Sequence, residues 1–303
     1  MPGLTVLVPL LVGAAVGSAI GHRPQIRPVT ELAGHLPLWC IGVLLIVVGA
    51  QVPVRALRAL ATRTLAVLLA ATLLPALLVL GYGWTWGAAG VLGVPLLTLA
   101  SASMSVSNNM WTAIVQKIGT PADVAAGCVA AVVSSGPLVP LLVLAVWGGR
   151  STSLPWALVL AAVLLLAGGI LTGTVLPGSR RLLARLTTPL LLVMSAAMGW
   201  VVPLGSLVRE APAGVVVAVL SGVVTGGTAA LLWARVLHRP AAIGWAAAAP
   251  AGVSVAVPTM VAIADPTWSQ WVPVATAQTG AAVLAGIVLA AVLGAVTRPR
   301  AGR

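Results

Sequence analysis

Long apolar stretches alternate with short polar segments along the whole chain, and this pattern predicts membrane spans. A helix needs about 20 mostly apolar residues to cross a bilayer. The first stretch is interpreted as a retained span and not as a cleaved signal peptide, because no Lys or Arg precedes it. The ten predicted spans lie at residues 4–20, 36–52, 64–84, 88–115, 124–147, 154–176, 189–207, 213–237, 241–264 and 271–296.

The fourth stretch contains a polar segment, residues 101–112, which reads SASMSVSNNMWT. Unpaired polar groups are costly in hydrocarbon, so this segment must face protein or a water-filled cavity. One interpretation is a helix whose small residues let a neighbouring helix pack closely. The other is an interrupted helix whose freed backbone and hydroxyl groups bind a solute or ion near the middle of the membrane.

The ninth stretch is interrupted by two prolines, Pro250 and Pro258, with Ser254 and Thr259 close by. Proline removes a backbone donor and disturbs the preceding helical turn. These prolines are either kinks that neighbouring helices satisfy or a second break that frees backbone carbonyls within the span.

The fourth and ninth stretches are each followed by a turn that contains proline and then by a stretch with a polar patch. Each break lies in the fourth span of a half that has five spans, an odd number, so the two halves would have opposite orientations, as in inverted-repeat transporters. The sequence therefore predicts an all-α integral membrane protein of ten transmembrane helices. We expect two inverted five-helix repeats, residues 1–150 and 151–303, with discontinuous crossing helices four and nine.

Composition excludes a soluble domain, because 60% of the residues are hydrophobic, 7% are charged and the mean hydropathy is +1.13. The net charge of +12 does not indicate nucleic-acid binding, since the basic residues lie in short segments between apolar stretches. Twelve of the sixteen fall on the side of the termini. The excess of positive residues on that side predicts cytoplasmic termini in a bacterial-type inner membrane. Cys40 and Cys128 lie in apolar stretches, which favours packed thiols over a disulfide or metal pair.

Four segments carry a resemblance to a known transporter family. The chain resembles the 2-keto-3-deoxygluconate permease family, which belongs with the bile-acid/sodium symporter-like transporters. The resemblance implies ten helices in two inverted repeats and proton-coupled uptake of a sugar-acid anion. The segments are VGAQVPVRAL at 48–57, SNNMWTAIVQKIGTPADVAAG at 107–127, SSGPLVP at 134–140 and AAAAPAGVSVAVPTMVAIADPTWSQWVPVAT at 246–276.

The chain departs from the pattern that the resemblance implies at three positions. The family carries acids where this chain has Met104, Ser134 and Ile263. A carboxylate at a helix centre costs about 2.5–3.5 kcal/mol, so such acids are kept for a function. The four acids of this chain fall at predicted span ends or in loops: Glu31, Asp123, Glu210 and Asp265.

Three accounts of ion coupling stay open. An acid at the end of a span could act, with Asp265 and Asp123 next to the broken-helix connections; the alternative for Asp265 is a turn acid before Pro266. Neutral oxygens, including those of Ser107 and Asn108, could hold a cation instead. The protein could also be uncoupled or differently specific. The ion-coupling candidates are Ser134, Ser135, Gln278, Thr279, Asp265 and Asp123.

The function predicted is secondary active import of a small sugar-acid anion such as 2-keto-3-deoxygluconate by proton symport. The alternatives are a sodium-coupled organic-anion symporter of the same fold and a non-transporting sensor or partner that lost the coupling carboxylates. We expect no enzyme activity, cofactor, metal or nucleic-acid partner; the partners are the substrate, H⁺ or Na⁺, and the bilayer. The substrate-binding candidates are Ser103, Ser105, Ser107, Asn108, Asn109, Thr112, Ser254 and Thr259.

Gln51 ends the second predicted span in an apolar context. Its side chain is expected either to point into a solute cavity or to reach the cytoplasmic interface.

Overall fold

The structure is a computed structural model that describes residues 4–21, 23–51, 57–134, 138–148, 156–176, 178–201 and 204–296. Within these ranges the chain is helical, and the β-type pairing found there is an isolated bridge between Val91 and Val94. The predicted all-α class is confirmed for this part of the chain.

Most helices are apolar along their whole length, as expected for helices that lie in a lipid bilayer. A π-helical turn, Leu69–Leu73, joins α3 to α4, and short 3-10 segments, Ala246–Ala248, Gly252–Ala256 and Pro266–Trp271, adjoin α12, α13 and α14. The α-helices of the described ranges are α1 (Leu4–Ile20), α2 (Arg27–Ala50), α3 (Leu57–Leu68), α4 (Leu74–Trp86), α5 (Leu96–Ser103), α6 (Asn108–Val115), α7 (Pro121–Ser134), α8 (Leu138–Trp147), α9 (Trp156–Val175), α10 (Ser179–Val201), α11 (Leu204–Arg235), α12 (Ala241–Trp245), α13 (Val257–Ala264) and α14 (Val272–Val296).

Five helical segments of the described chain are long and apolar enough to cross a membrane by length and composition. Shorter apolar helices accompany them in α1, α7, α8 and α9. The protein therefore belongs to the class of multi-pass membrane proteins. The number of ten spans and the inverted repeat stay predictions. The five long segments are Ala61–Trp86, Ser179–Trp200, Leu204–Arg235, Ala241–Ala264 and Pro266–Leu293.

The helices pack in two groups, and each group takes members from both halves of the chain. In the first group α1 packs on α10, and α2 packs on α9 and α10. Close backbone approach explains the glycines there: a Cβ added at Gly13 would lie 2.1 Å from the Ala196 carbonyl oxygen. The second group is built around α11 and α14, with α3 to α8, α12 and α13 packed around them.

Three buried cores lie in the second group, and the two largest separate the halves of its interrupted spans. One core joins α3, α6, α7, α11 and α12, and its centre is an edge-to-face pair of Trp111 and Trp233 at 5.6 Å between ring centroids. The other core joins α4, α5, α8 and α13 around residues such as Leu97 and Val261. Thus α5 and α6 belong to different cores, and so do α12 and α13.

Several predicted span boundaries are wrong. Helix α2 begins at Arg27 and not at residue 36, and α10 begins at Ser179 and not at residue 189. Helix α11 already begins at Leu204, so that the loop expected around Glu210 is helical. The reason is physical: hydropathy locates the apolar part of a helix, whereas charged helical extensions at the membrane surface carry no hydropathy signal.

The predicted start of the fourth span at residue 88 is also wrong. Residues 87–95 form turns, and α5 begins only after Pro95. The backbone there is left-handed at Gly87, Gly90 and Gly93, with φ of +72°, +67° and +74°, a region that glycine enters without steric cost. The Tyr82 hydroxyl stabilises the turn by donating to the Val94 carbonyl at 2.6 Å.

Candidate functional site

The polar segment of the fourth span is interrupted over residues 104–107, between the end of α5 and the start of α6. Ser107 adopts an extended conformation, and its hydroxyl accepts from the Met110 amide at 3.4 Å. Serine is a favoured N-cap, because its side chain satisfies an amide that has no helical partner. The break is thus shorter than the polar segment, and residues 101–103 and 108–112 are helical.

The ninth span is interrupted over residues 249–251, where the backbone is extended before the 3-10 segment Gly252–Ala256. Pro250 lies in the middle of this break and has no amide to offer. Two glycines let neighbouring helices approach it: a Cβ at Gly286 would lie 2.4 Å from Pro250 Cδ, and one at Gly226 would lie 2.6 Å from Ala248 Cβ.

The two breaks cross and satisfy each other's backbone; we call residues 104–107 and 249–251 the crossing. The Ser107 amide donates to the Ala249 carbonyl at 2.9 Å. The Ala251 amide donates to Ser105 Oγ at 3.2 Å, and Ser105 also hydrogen-bonds to the hydroxyl of Ser254. Buried backbone groups need such partners, so Ser105 and Ser254 hold the crossing together.

Several buried side-chain oxygens of predicted site residues have no hydrogen-bond partner in the described part of the chain. Leaving a buried polar group unpaired costs about 1–3 kcal/mol. Asn108 Oδ1 stands at the first residue of α6, beside the crossing. Others belong to predicted ion-coupling residues, Ser134 at the end of α7 and Thr279 in α14. Each of these oxygens stays a candidate partner for a bound solute.

The structure brings together some of the predicted substrate residues and separates others. Ser105, Ser107 and Ser254 take part in the crossing, and Asn108 adjoins it. Ser103 turns away: its hydroxyl bonds to the Leu99 carbonyl within α5, and its side chain lines a groove against α4 and α11.

Three further predictions are placed as follows. Thr259 is half-buried on α13. The side chain of Asn109 lies outside the described part of the chain, and so does Ser135 altogether.

A polar stripe runs along α6 away from the crossing. Asn108, Thr112 and Gln116 lie four residues apart and share one helix face. Thr112 Oγ1 is 3.6 Å from Cys128 Sγ of α7. Gln116 opens onto a cavity of about 430 Å³ whose other lining residues include Gln51, Gly119, Thr120 and Cys128. Gln51 lines this cavity, and its Nε2 donates to the Val47 carbonyl of α2 at 3.1 Å. Its two interpretations both stay predictions.

Asp123, a predicted coupling candidate, is fully buried at the start of α7 and is held by positive charge. Its Oδ1 lies 3.1 Å from Arg63 Nη1, and its Oδ2 lies 4.0 Å from Arg239 Nη1. Oδ2 also accepts from the Thr120 amide at 2.8 Å. Because it ties α3, α7 and the α11–α12 connection together, this arrangement is that of a structural ion cluster.

Asp265, the other acidic candidate, ends α13. Its Oδ1 accepts from the amide of Thr267 at 3.1 Å and from the hydroxyl of the same residue at 2.7 Å. It thereby caps the 3-10 segment that Pro266 begins. This is the geometry of the turn acid that the sequence left open as an alternative.

Gln278 is completely buried in α14 and is bound on three sides. Its Oε1 accepts from Thr98 Oγ1 at 2.8 Å. Its Nε2 donates to the Gly93 carbonyl at 2.7 Å and to Glu210 Oε2 at 2.9 Å. The amide thus joins α14 to α5, to the glycine turn and to α11.

Glu210 is the residue that sequence reasoning missed at this place. It was expected in a loop, but it lies on α11 with its side chain 16% exposed. A helical phase could have found it: the buried face of α11 includes Gly214, Val217 and Ser221, and stepping back four residues from Gly214 reaches Glu210.

Comparison with known proteins adds the family. The family model described as 2-keto-3-deoxygluconate permease matches residues 1–302. The chain belongs to this family. The resemblance of the four segments is therefore confirmed, and membership points to a transporter rather than an enzyme.

Relatives of this family member match along nearly the whole chain. The chain is 26% identical over 296 residues to 2-keto-3-deoxygluconate permease 1 of Salmonella typhimurium, and the alignment covers 97% of this chain and 92% of the relative. It is 29% identical over 322 residues to the 2-keto-3-deoxygluconate permease of Xanthomonas oryzae pv. oryzae, with 100% and 95% covered. The corresponding protein of Tolumonas auensis is 28% identical over 317 residues, with 100% and 91% covered.

The three positions at which the resemblance implies acids lie in different surroundings. Met104 is completely buried at the crossing. Ser134 is buried, and its hydroxyl has no partner among the described residues. Ile263 is 44% exposed on α13.

Proposed function

We propose that this family member is a secondary active transporter that imports a small sugar-acid anion such as 2-keto-3-deoxygluconate. The observation that carries the proposal is the crossing, where the amide of each break donates to an oxygen of the other break beside Asn108 Oδ1, which has no partner among the described residues. Interrupted helices are tolerated inside a membrane where their backbone is buried in protein or lines a water-filled cavity, and secondary transporters use such breaks as substrate and ion sites.

The substrate carboxylate binds at the start of α6. Unpaired amides and the helix dipole favour a negative charge at a helix N-terminus, and Asn108 and Ser107 add a side-chain amide and a hydroxyl. Thr112 and Gln116 continue the polar face toward the cavity at Gln51 and Cys128. Substrate leaves by this cavity, which is the cytoplasmic opening of the site.

The membrane arrangement that goes with this function has ten helices in two inverted repeats, residues 1–150 and 151–303. Both termini are cytoplasmic in a bacterial inner membrane, because twelve of the sixteen Lys and Arg residues then lie inside. Access alternates around the crossing: the cytoplasmic cavity closes when an outward path to the same site opens.

Counterflow in proteoliposomes tests the transport function without any assumption about coupling. Vesicles loaded with unlabelled 2-keto-3-deoxygluconate should take up the labelled compound faster than protein-free vesicles, and uptake should saturate. Absence of saturable counterflow with any sugar acid would contradict the proposal. That result would favour the non-transporting alternative, which also expects no sugar acid to raise the melting temperature of the purified protein.

Ion gradients then identify the coupling ion. Proton symport predicts accumulation of the labelled anion when the external pH is lower than the internal pH. A sodium-coupled symporter would accumulate it only under an inward sodium gradient. Each gradient is applied alone, with valinomycin and equal potassium on both sides to hold the membrane potential at zero.

A further inference from the structure

Glu210 differs from the other three acids of the chain. Glu31 is exposed in an ion pair on its own helix, Asp123 is bound by two arginines, and Asp265 caps a 3-10 segment. Each of these carboxylates is accounted for by local structure. Glu210 is largely buried on a membrane helix, and its close partner is the amide of a residue on another helix.

The surroundings of Glu210 provide little compensating charge. Arg209 Nε lies 3.6 Å away, but that side chain is 86% exposed, so water screens the pair. Helices α1, α5, α12 and α14, which pack on α11, contain no ionisable side chain. The remaining ionisable groups on neighbouring helices are Tyr82 of α4, which bonds to the glycine turn, and Arg58 and Arg63 of α3. Arg63 binds Asp123 near the opposite end of α11.

We propose that Glu210 is the carboxylate that takes up and releases the coupling proton, with Gln278 as its positioning residue. This inference rests on the proposed transport function. One O–H bond forms on Glu210 with a proton from external water, and the same bond breaks when the proton passes to the cytoplasmic side with each imported anion. The position fits, because Glu210 lies near the end of α11 that the proposed topology places outside.

Protonation changes the hydrogen bonds that hold the region together. The N–H of Gln278 donates to an ionised carboxylate, and such charge-assisted bonds are about twice as strong as neutral ones. Neutral Glu210 therefore holds Gln278 less firmly, and the same Gln278 Nε2 binds the Gly93 carbonyl of the turn that leads into α5.

Helix α5 carries this change to the substrate site. It runs from the glycine turn directly to the crossing, a distance of eight residues, and Thr98 in its first turn binds Gln278 Oε1. The first turn of α5 thus contacts the Gln278 amide that binds Glu210, and its last turn leads to the crossing beside the anion site. A change in the protonation of Glu210 therefore biases the packing at the crossing.

The decisive variant is Glu210→Gln, which cannot release a proton. Counterflow exchanges substrate without net proton movement, so it should persist in this variant, whereas accumulation driven by a pH gradient should be lost. The pH dependence of counterflow, expected to fall as the external pH rises in the unmodified protein, should become flat. Glu31→Gln is the matched control, because it neutralises an exposed acid, and it should keep both activities.

Different outcomes test the transport function and the role of Glu210. Absence of counterflow in the unmodified protein would contradict the transport function itself. Normal counterflow together with undiminished proton-driven accumulation in Glu210→Gln would overturn the role of Glu210 alone, as would accumulation of the anion under a sodium gradient only.

Two measurements keep the test valid if Glu210→Gln does not fold. Glu210→Asp retains the acid, so it should still accumulate the anion with a displaced pH profile; an unchanged profile overturns the proposal. A hydrophobic carbodiimide, which attacks protonated carboxyl groups, should label Glu210 in the unmodified protein and abolish accumulation. Mass spectrometry that finds Glu210 unlabelled after accumulation is lost also overturns it.

Gln278→Leu tests the positioning role by a readout that a purely structural role would not move. The variant should shift the pH at which counterflow is half-maximal, because the ionised carboxylate loses its donor. An unchanged pH profile with reduced counterflow would assign Gln278 to packing only.

Discussion

The two breaks of the crossing are built in different ways. Residues 104–107 break a helix with polar side chains, and α6 then starts with a serine cap. Residues 249–251 contain only alanine and proline, and α13 starts without a side-chain cap and with Pro258 in its first turn. The first break supplies side chains, while the second supplies main-chain groups.

This difference shows that the crossing is asymmetric at the chemical level. The Ser105 hydroxyl of the first break accepts from the Ala251 amide of the second, and the Ala249 carbonyl of the second accepts from the Ser107 amide of the first. Proline also removes an amide from the start of α13. A negative charge is therefore better stabilised at the start of α6 than at the start of α13.

Asn108→Leu tests the asymmetry with the largest expected effect, the complete loss of counterflow. Stability should hardly change, since Asn108 Oδ1 has no partner to lose among the described residues. Thr259→Val at the start of α13 is the matched variant and should cause a smaller loss. Uptake assays and melting temperatures of the purified proteins give both comparisons. Equal losses in the two variants would show that the half-helices contribute alike.

Ser105→Ala tests the hydrogen bonds by which the first break holds the second. It leaves the Ala251 amide and the Ser254 hydroxyl without this partner, and each unpaired buried group costs about 1–3 kcal/mol. Ser101→Ala is the control, because that buried hydroxyl bonds only to the Leu97 carbonyl of its own helix. Thermal unfolding in detergent should show a clearly larger decrease for Ser105→Ala. Similar melting temperatures would mean that the serine does not hold the crossing.

Gly286→Ala tests the support behind the second break. The added Cβ would lie 2.4 Å from Pro250 Cδ, and overpacking of this kind costs about 1–3 kcal/mol. The change also gains roughly 0.5–1 kcal/mol of helix stability, so the net decrease should be modest. Gly280→Ala on the same helix places its Cβ 3.9 Å from Leu10 Cδ2 and should stabilise the protein slightly. A decrease in the melting temperature of both variants would point to the helix and not to the break.

The sequence revealed both breaks because each has a local signature. Polar side chains in an apolar stretch and prolines within a span are visible without any partner. The hydrogen bonds between the breaks cannot be predicted from the sequence, since Ser105 and Ser254 are 149 residues apart. No local pattern in either segment indicates that it pairs with the other. For the same reason the sequence did not predict that Arg63 would bind Asp123.

The sequence failed to predict the environment of Glu210 for a different reason. Hydropathy placed residues 208–212 between two spans, because Arg209 and Glu210 are charged. Helix α11 nevertheless extends to Leu204, which turns Glu210 toward Gln278. A single hydropathy threshold cannot distinguish a loop from the polar end of a long helix, whereas the helical phase of the small buried residues of α11 does so.

Cys128 offers the mildest test, one of the route that leaves the first break along α6. A membrane-permeant maleimide should react with Cys128, which lines the cavity near Thr112, and the bulky adduct should slow counterflow in part. Cys40 is only 4% exposed and should stay unmodified. Cys128→Ser should keep transport and lose the inhibition, while Cys40→Ser should behave like the unmodified protein. Full labelling of Cys128 without slower counterflow would show that the substrate does not pass through this cavity. The part of the α6 polar face that the substrate contacts would then be limited to the residues next to the crossing.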